Sequence, residues 1–212
     1  MIDLPFLITA FTTLFVIIDP IGLTPLFVAM TQGMSPARRR GIAIRACLTA
    51  IAILMVFAVF GEAVLEFVGI SMPAFRIAGG VLLFLTALDM LFERRQARRE
   101  GTAEGAEEAE DHHHNDPSVF PLAIPLLAGP GAIASMILLT GQTAEWQGFA
   151  AVIGVMVAVI GIVFALFMAA GLLERVLGRT GINVVTRLLG MLLAALAVQF
   201  ILDGLASFGL AG

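Results

Sequence analysis

Apolar residues fill six stretches of about 20 or more positions, the length that crosses a hydrocarbon layer about 30 Å thick. They run from Leu4 to Thr31, Gly41 to Phe60, Ser71 to Phe92, Val119 to Thr140, Gly148 to Leu172 and Val184 to Ala206. Each stretch is continuous, without the alternation of a membrane barrel strand, so the pattern predicts six transmembrane helices and an all-α polytopic membrane protein. The first stretch has no basic leader and no small-residue cleavage site, and is expected to stay in the membrane. Composition agrees: 59% of residues are hydrophobic and only 13% charged, with a mean hydropathy of +1.01, far from soluble domains.

The charged residues orient the chain. There is no lysine, and nine of the 12 arginines cluster after the first, third and fifth stretches: Arg38 to Arg40, then Arg94, Arg95, Arg98 and Arg99, then Arg175 and Arg179. The connections after the second and fourth stretches carry none. By the positive-inside rule both termini lie outside and the segment 93–117 is cytoplasmic. That segment holds half of the 16 acidic residues and the three histidines, His112 to His114, and reads as a disordered solvated linker between residues 1–92 and 118–212. The net charge of -4 is a property of this linker, and no nucleic-acid partner is implied. The lone Cys47, inside the second stretch, forms no internal disulfide and reads as a packing residue.

Two stretches contain helix breakers at their centres. Asp19-Pro20 with Gly22 interrupts the first, and Gly129-Pro130 with Gly131 and Ala132 interrupts the fourth. The third stretch opens Gly69-Ile70-Ser71 before Arg76 and Gly79; the sixth opens Gly181-Ile182-Asn183 before Arg187 and Gly190. These matches share a near-constant offset of about 110 residues, which predicts two repeats of three helices. With an odd number of helices in each, the second repeat enters from the opposite face, as in many secondary transporters.

Asp-Pro and Gly-Pro are also helix starts, with a cap followed by proline at the first helical position. Each broken stretch is therefore expected to be two half-helices meeting near the membrane midplane. Pro20 withholds an N–H from the carbonyl of Val16, Pro25 from that of Ile21 and Pro130 from that of Leu126. The helix start after Pro130, with the amides of Gly131 and Ala132, suits a carboxylate. Asp19 and the freed carbonyls suit an ammonium group, and an aspartate at this depth costs about 3 kcal/mol unless it faces protein or water. Thr24 and Ser135 fall where they can line the same space, although such hydroxyls commonly bond their own backbone. Asp19 has two readings at this stage, ligand contact or cap. Arg76 and Arg187, a turn inside equivalent helices, are read as interfacial anchors first and as gates second.

The four motifs DPIGLTPLF, GISMPAFRIAGG, PLAIPLLAGPGAIA and RLLGMLLAALAVQFILDG together resemble the MarC family, also called the SnatA-like neutral amino acid transporter family. The resemblance covers nearly the whole chain outside the acidic linker. It implies transport of small neutral amino acids such as glycine and alanine, driven by a proton or sodium gradient, in the bacterial cytoplasmic membrane. The first family motif takes aspartate or asparagine before the proline, which argues against Asp19 as an obligatory proton carrier. The rivals are a channel, which broken helices also build, or an exporter for another small solute, and a non-transporting scaffold. An intramembrane enzyme is not expected, because every histidine sits in the linker and no metal site, cofactor motif or base-nucleophile pair lies at membrane depth. Oligomeric state is not written in the sequence.

Overall fold

The computed structural model describes residues 4–92, 118–143 and 145–208. All regular structure among them is helical: α1 (Leu4–Ile18), α2 (Pro20–Met30), α3 (Pro36–Val68), α4 (Met72–Leu91), the irregular α5 (Ser118–Leu127), α6 (Pro130–Thr140), α7 (Trp146–Met168) and α8 (Ala170–Ser207). The linker expected over 93–117, with its histidines, lies outside the described residues.

Proline and a small polar cap begin the early helices. Asp19 caps α2, Ser35 caps α3 by accepting from the Arg38 amide at 3.4 Å, and Ser71 caps α4 by accepting from the Ala74 amide at 3.4 Å. Gly69 closes α3 at φ 82, a left-handed turn that a side chain would strain. At 33 residues α3 outruns the expected Gly41–Phe60 span by more than a turn at each end. It is about 50 Å long, so its arginine-rich start and the exposed Glu62 and Glu66 near its end both reach past a hydrocarbon layer.

The fourth stretch departs furthest from a regular helix. Phe120 (φ -126, ψ 127) and Ile124 (φ -121, ψ 122) are extended, each immediately before a proline. Proline excludes the preceding residue from helical dihedrals, so the pairs Phe120-Pro121 and Ile124-Pro125 force a loosely wound segment. The Ala128 amide donates five residues back, to the Ala123 carbonyl at 2.8 Å. α5 and α6 then meet at a bend of 57°. Near the other end, Gly178 (φ 61, ψ 177) divides α8 into a leading piece and the span Thr180–Ser207.

Glycines set the closest helix contacts. A Cβ at Gly80 of α4 would lie 2.8 Å from the Ala197 carbonyl oxygen and 2.7 Å from Ile201 Cγ1 of α8. A Cβ at Gly190 of α8 would lie 2.9 Å from Met90 Cβ, and one at Gly204 would lie 2.6 Å from Ile77 Cγ1. The two helices thus run antiparallel with backbones in near contact, the small-residue packing that membrane helices use. Because backbone cannot yield as a side-chain tip can, Gly80→Val should cost about 1–3 kcal/mol, read as a lowered thermal unfolding midpoint in detergent. An unchanged midpoint would mean that this contact is loose.

The buried centre gathers around α2 and α6. Leu14, Ile18, Leu23 and Phe27 are fully buried from the first stretch, as are Met136 and Leu138 from α6, with Leu83, Leu122 and Phe167 around them. Large apolar residues face outward elsewhere, among them Leu48, Phe60, Phe67, Leu85 and Leu192. Lipid is the solvent that such a surface matches.

Candidate functional site

Asp19 interrupts the first span with a single residue. It adopts φ 56, ψ 66, a left-handed conformation costing about 1–2 kcal/mol for a residue with a side chain, which aspartate tolerates better than most. Its amide still donates to the Phe15 carbonyl at 2.9 Å, and its own carbonyl accepts from the Leu23 amide at 3.0 Å. The carboxylate turns back on the new helix, where Oδ1 accepts from the Gly22 amide at 3.0 Å. Gly22 is required there, because a Cβ would fall on the carboxylate itself. Leu4–Met30 still passes as one 27-residue span. The whole break is buried: Asp19 and Thr24 are 0% exposed, and Pro20 and Gly22 are buried with them.

The second break is built differently. Gly129 makes no side-chain cap, leaving the start of α6 to backbone and surroundings. Gly129 is half-buried and Pro130 exposed, whereas Gly131 and Ala132 are buried. A Cβ on Gly129 would lie 2.5 Å from the Pro125 carbonyl oxygen, so glycine permits the bend. A Cβ on Gly131 would lie 2.7 Å from Ile17 Cδ1 and 3.7 Å from Leu83 Cδ2. The start of α6 is therefore pressed against α1 two residues before Asp19.

This contact aligns further residues. Along α4 and α6, Met72 meets Gly141, Gly79 meets Leu138 and Leu83 meets Gly131, so the two helices are antiparallel. Short connections reverse the chain between α2 and α3 and between α3 and α4, which makes α1 antiparallel to α6 as well. One turn before Ile17 stands Thr13, and one turn after Gly131 stands Ser135, at the same level of the interface. Both are 0% exposed, and neither hydroxyl has a hydrogen-bond partner among the described residues. A buried hydroxyl left unpaired costs about 1–3 kcal/mol, which makes the pair candidates for contact with a polar group. Sequence reasoning picked out Ser135 and passed over Thr13. Its signal was the four-residue spacing from Ile17, legible only once the helix contact is known.

The remaining polar positions separate. Thr24 donates to the Pro20 carbonyl at 2.9 Å, the local bond expected of a helical threonine. Gln199 donates within its own helix to Asp203 at 2.7 Å. Arg76, one turn into α4, is half-buried, and its Nε is buried without a hydrogen-bond partner among the described residues, whereas Arg187 is exposed. The two arginines do not share an environment.

Long apolar helices, one bent pair and an outward-facing apolar surface define a polytopic helical integral membrane protein. The chain belongs to the MarC family of integral membrane proteins, whose profile it matches over residues 4–208. It is 38% identical over 205 residues to a UPF0056 membrane protein of Methanocaldococcus jannaschii, covering 96% of this chain and 97% of that one. Over 199 residues it is 35% identical to the inner membrane protein YhgN of Escherichia coli, covering 94% and 95%. Identity to the membrane protein YvbG of Bacillus subtilis is 36% over 200 residues, covering 94% of each. No solved structure matches the chain.

Proposed function

We propose that the protein is a secondary transporter of small neutral amino acids, of the size of glycine and alanine, rather than an enzyme. The observation that carries this reading is the meeting of the two helix breaks, with Gly131 of α6 pressed on Ile17 of α1 beside the buried Asp19. In the bound state the amides of Gly131 and Ala132 and the positive end of α6 hold the substrate carboxylate. Asp19 holds the ammonium group through its carboxylate, and Thr13 and Ser135 complete the polar wall. Glycine at positions 129 and 131 keeps the space small.

Alternating access follows from two inverted repeats, 1–92 and 118–212, rocking about these breaks. The α4–α8 contact supports the repeat, since Gly80 packs on Ile201 much as Gly190 packs on Met90 from the other side. A proton or sodium gradient drives the cycle in the cytoplasmic membrane, with both termini outside and the 93–117 linker cytoplasmic. Radiolabelled glycine and alanine in proteoliposomes should show saturable uptake and counterflow, faster under one of the two gradients. Absence of saturable flux under every gradient would overturn transport.

A further inference from the structure

A cavity of about 590 Å³ opens away from the two breaks, at the end of α2. Its walls include Pro25, Val28, Ala29 and Gln32 of the first span and its turn, Arg39 of α3 and Ile182 of α8. Both halves of the chain thus contribute to it. Ile21, Pro25, Val28 and Ala29 lie on one face of α2, spaced by three or four residues, and none of them is buried. Followed inward, that face leads through Gly22 to Asp19.

Two polar groups stand at the ends of this face. Pro25, on the cavity wall, has no N–H to offer the Ile21 carbonyl one turn before it. At the mouth the half-buried Arg39 lies with its guanidinium carbon 5.4 Å from the centre of the Phe27 ring. Phe27 is in turn stacked on Phe167 of α7, with ring centres 4.2 Å apart and planes 4° from parallel. Stacking occupies the face of a guanidinium and leaves its N–H edge for a carboxylate. The two phenylalanines, both buried, hold that cation in place.

We infer that this cavity is a second solute station, which receives a small zwitterion with its carboxylate on Arg39 and its ammonium toward the freed Ile21 carbonyl. The transport reading supplies only the expectation that the zwitterion is an amino acid. Binding at the station is measurable without any flux.

The test uses Cys47→Ala, which removes the only native thiol, combined with Ala29→Cys on the exposed wall. Inverted membrane vesicles are treated with small anionic and cationic thiosulfonate reagents, each with and without millimolar glycine. The anionic reagent should react about 5-fold faster than the cationic one, because a fixed cation in a cleft raises the local concentration of anions. Arg39→Gln should abolish that preference and Arg39→Lys should keep it, which separates charge from misfolding. Glycine should slow labelling more than acetate or methylammonium, and only while residue 39 is cationic.

Failure of Ala29→Cys to react, equal rates with arginine and glutamine at position 39, or glycine protection that survives Arg39→Gln would each overturn the station. So would slowing that follows phosphatidylethanolamine content and ignores glycine, which would assign the cavity to a lipid headgroup. Flux with no protection refutes the station alone; protection with no flux refutes transport alone.

Discussion

Asp19→Ala should abolish glycine flux and also lower stability, while Asp19→Asn should keep the fold and weaken only substrate binding. Alanine loses the bond to the Gly22 amide and sits poorly at φ 56, together costing about 2–3 kcal/mol. Asparagine tolerates the left-handed conformation and its side-chain oxygen can accept the same bond, so the cap survives. What it lacks is the charge. Weakening the charge-assisted bond to the substrate ammonium by about 1.4 kcal/mol raises KM for glycine about tenfold with little change in maximal rate.

Gly22→Ala tests the same joint from the other side. Its Cβ would displace the carboxylate, so it should reproduce the loss of stability of Asp19→Ala, and the double variant should lose less than the two singles combined. Thermal unfolding in detergent and initial rates in proteoliposomes separate the outcomes. A native KM in Asp19→Asn, with loss confined to Asp19→Ala, would leave Asp19 as a cap and nothing more.

The elements most legible in the sequence were those written by local chemistry. Asp19-Pro20 carries a capping oxygen and a proline and begins α2; Ser35-Pro36 and Ser71 ahead of Pro73 carry the same signal, which the hydropathy boundary at Gly41 overlooks in the case of α3. The irregular α5 was legible by the same means, since Phe120 and Ile124 both precede proline, but hydropathy alone merged it into a helix. Gly178 was not legible as a break, because an isolated glycine in an apolar pattern is usually tolerated and only its positive φ distinguishes it. The site divides similarly. Both breaks could be located from their motifs, whereas the unpaired hydroxyls of Thr13 and Ser135 depend on which helices touch, and Arg39 depends on the Phe27 ring of α2, backed by Phe167 of α7. Such relations have no sequence period to announce them.

Gly131→Val should stop transport outright, and Ile17→Ala should restore part of it. At position 131 even a Cβ would approach Ile17 Cδ1 to 2.7 Å and Ile17 Cγ1 to 3.0 Å, and valine adds two methyl groups to a side of α6 already buried. Overpacking of this kind costs about 1–3 kcal/mol, and here it also moves the start of α6 away from Asp19. Separating the carboxylate-binding amides from the aspartate by even an ångström removes the simultaneous grip on both ends of a zwitterion, so the loss in rate should exceed the loss in stability. Ile17→Ala clears the colliding atoms without touching the polar groups. Folded Gly131→Val with less than a tenth of native flux, and several-fold recovery in the Ile17→Ala double variant, is the outcome expected if the breaks work as one site. Native flux in the single variant would show that α6 can leave α1 without consequence, and the meeting of the breaks would then be packing alone.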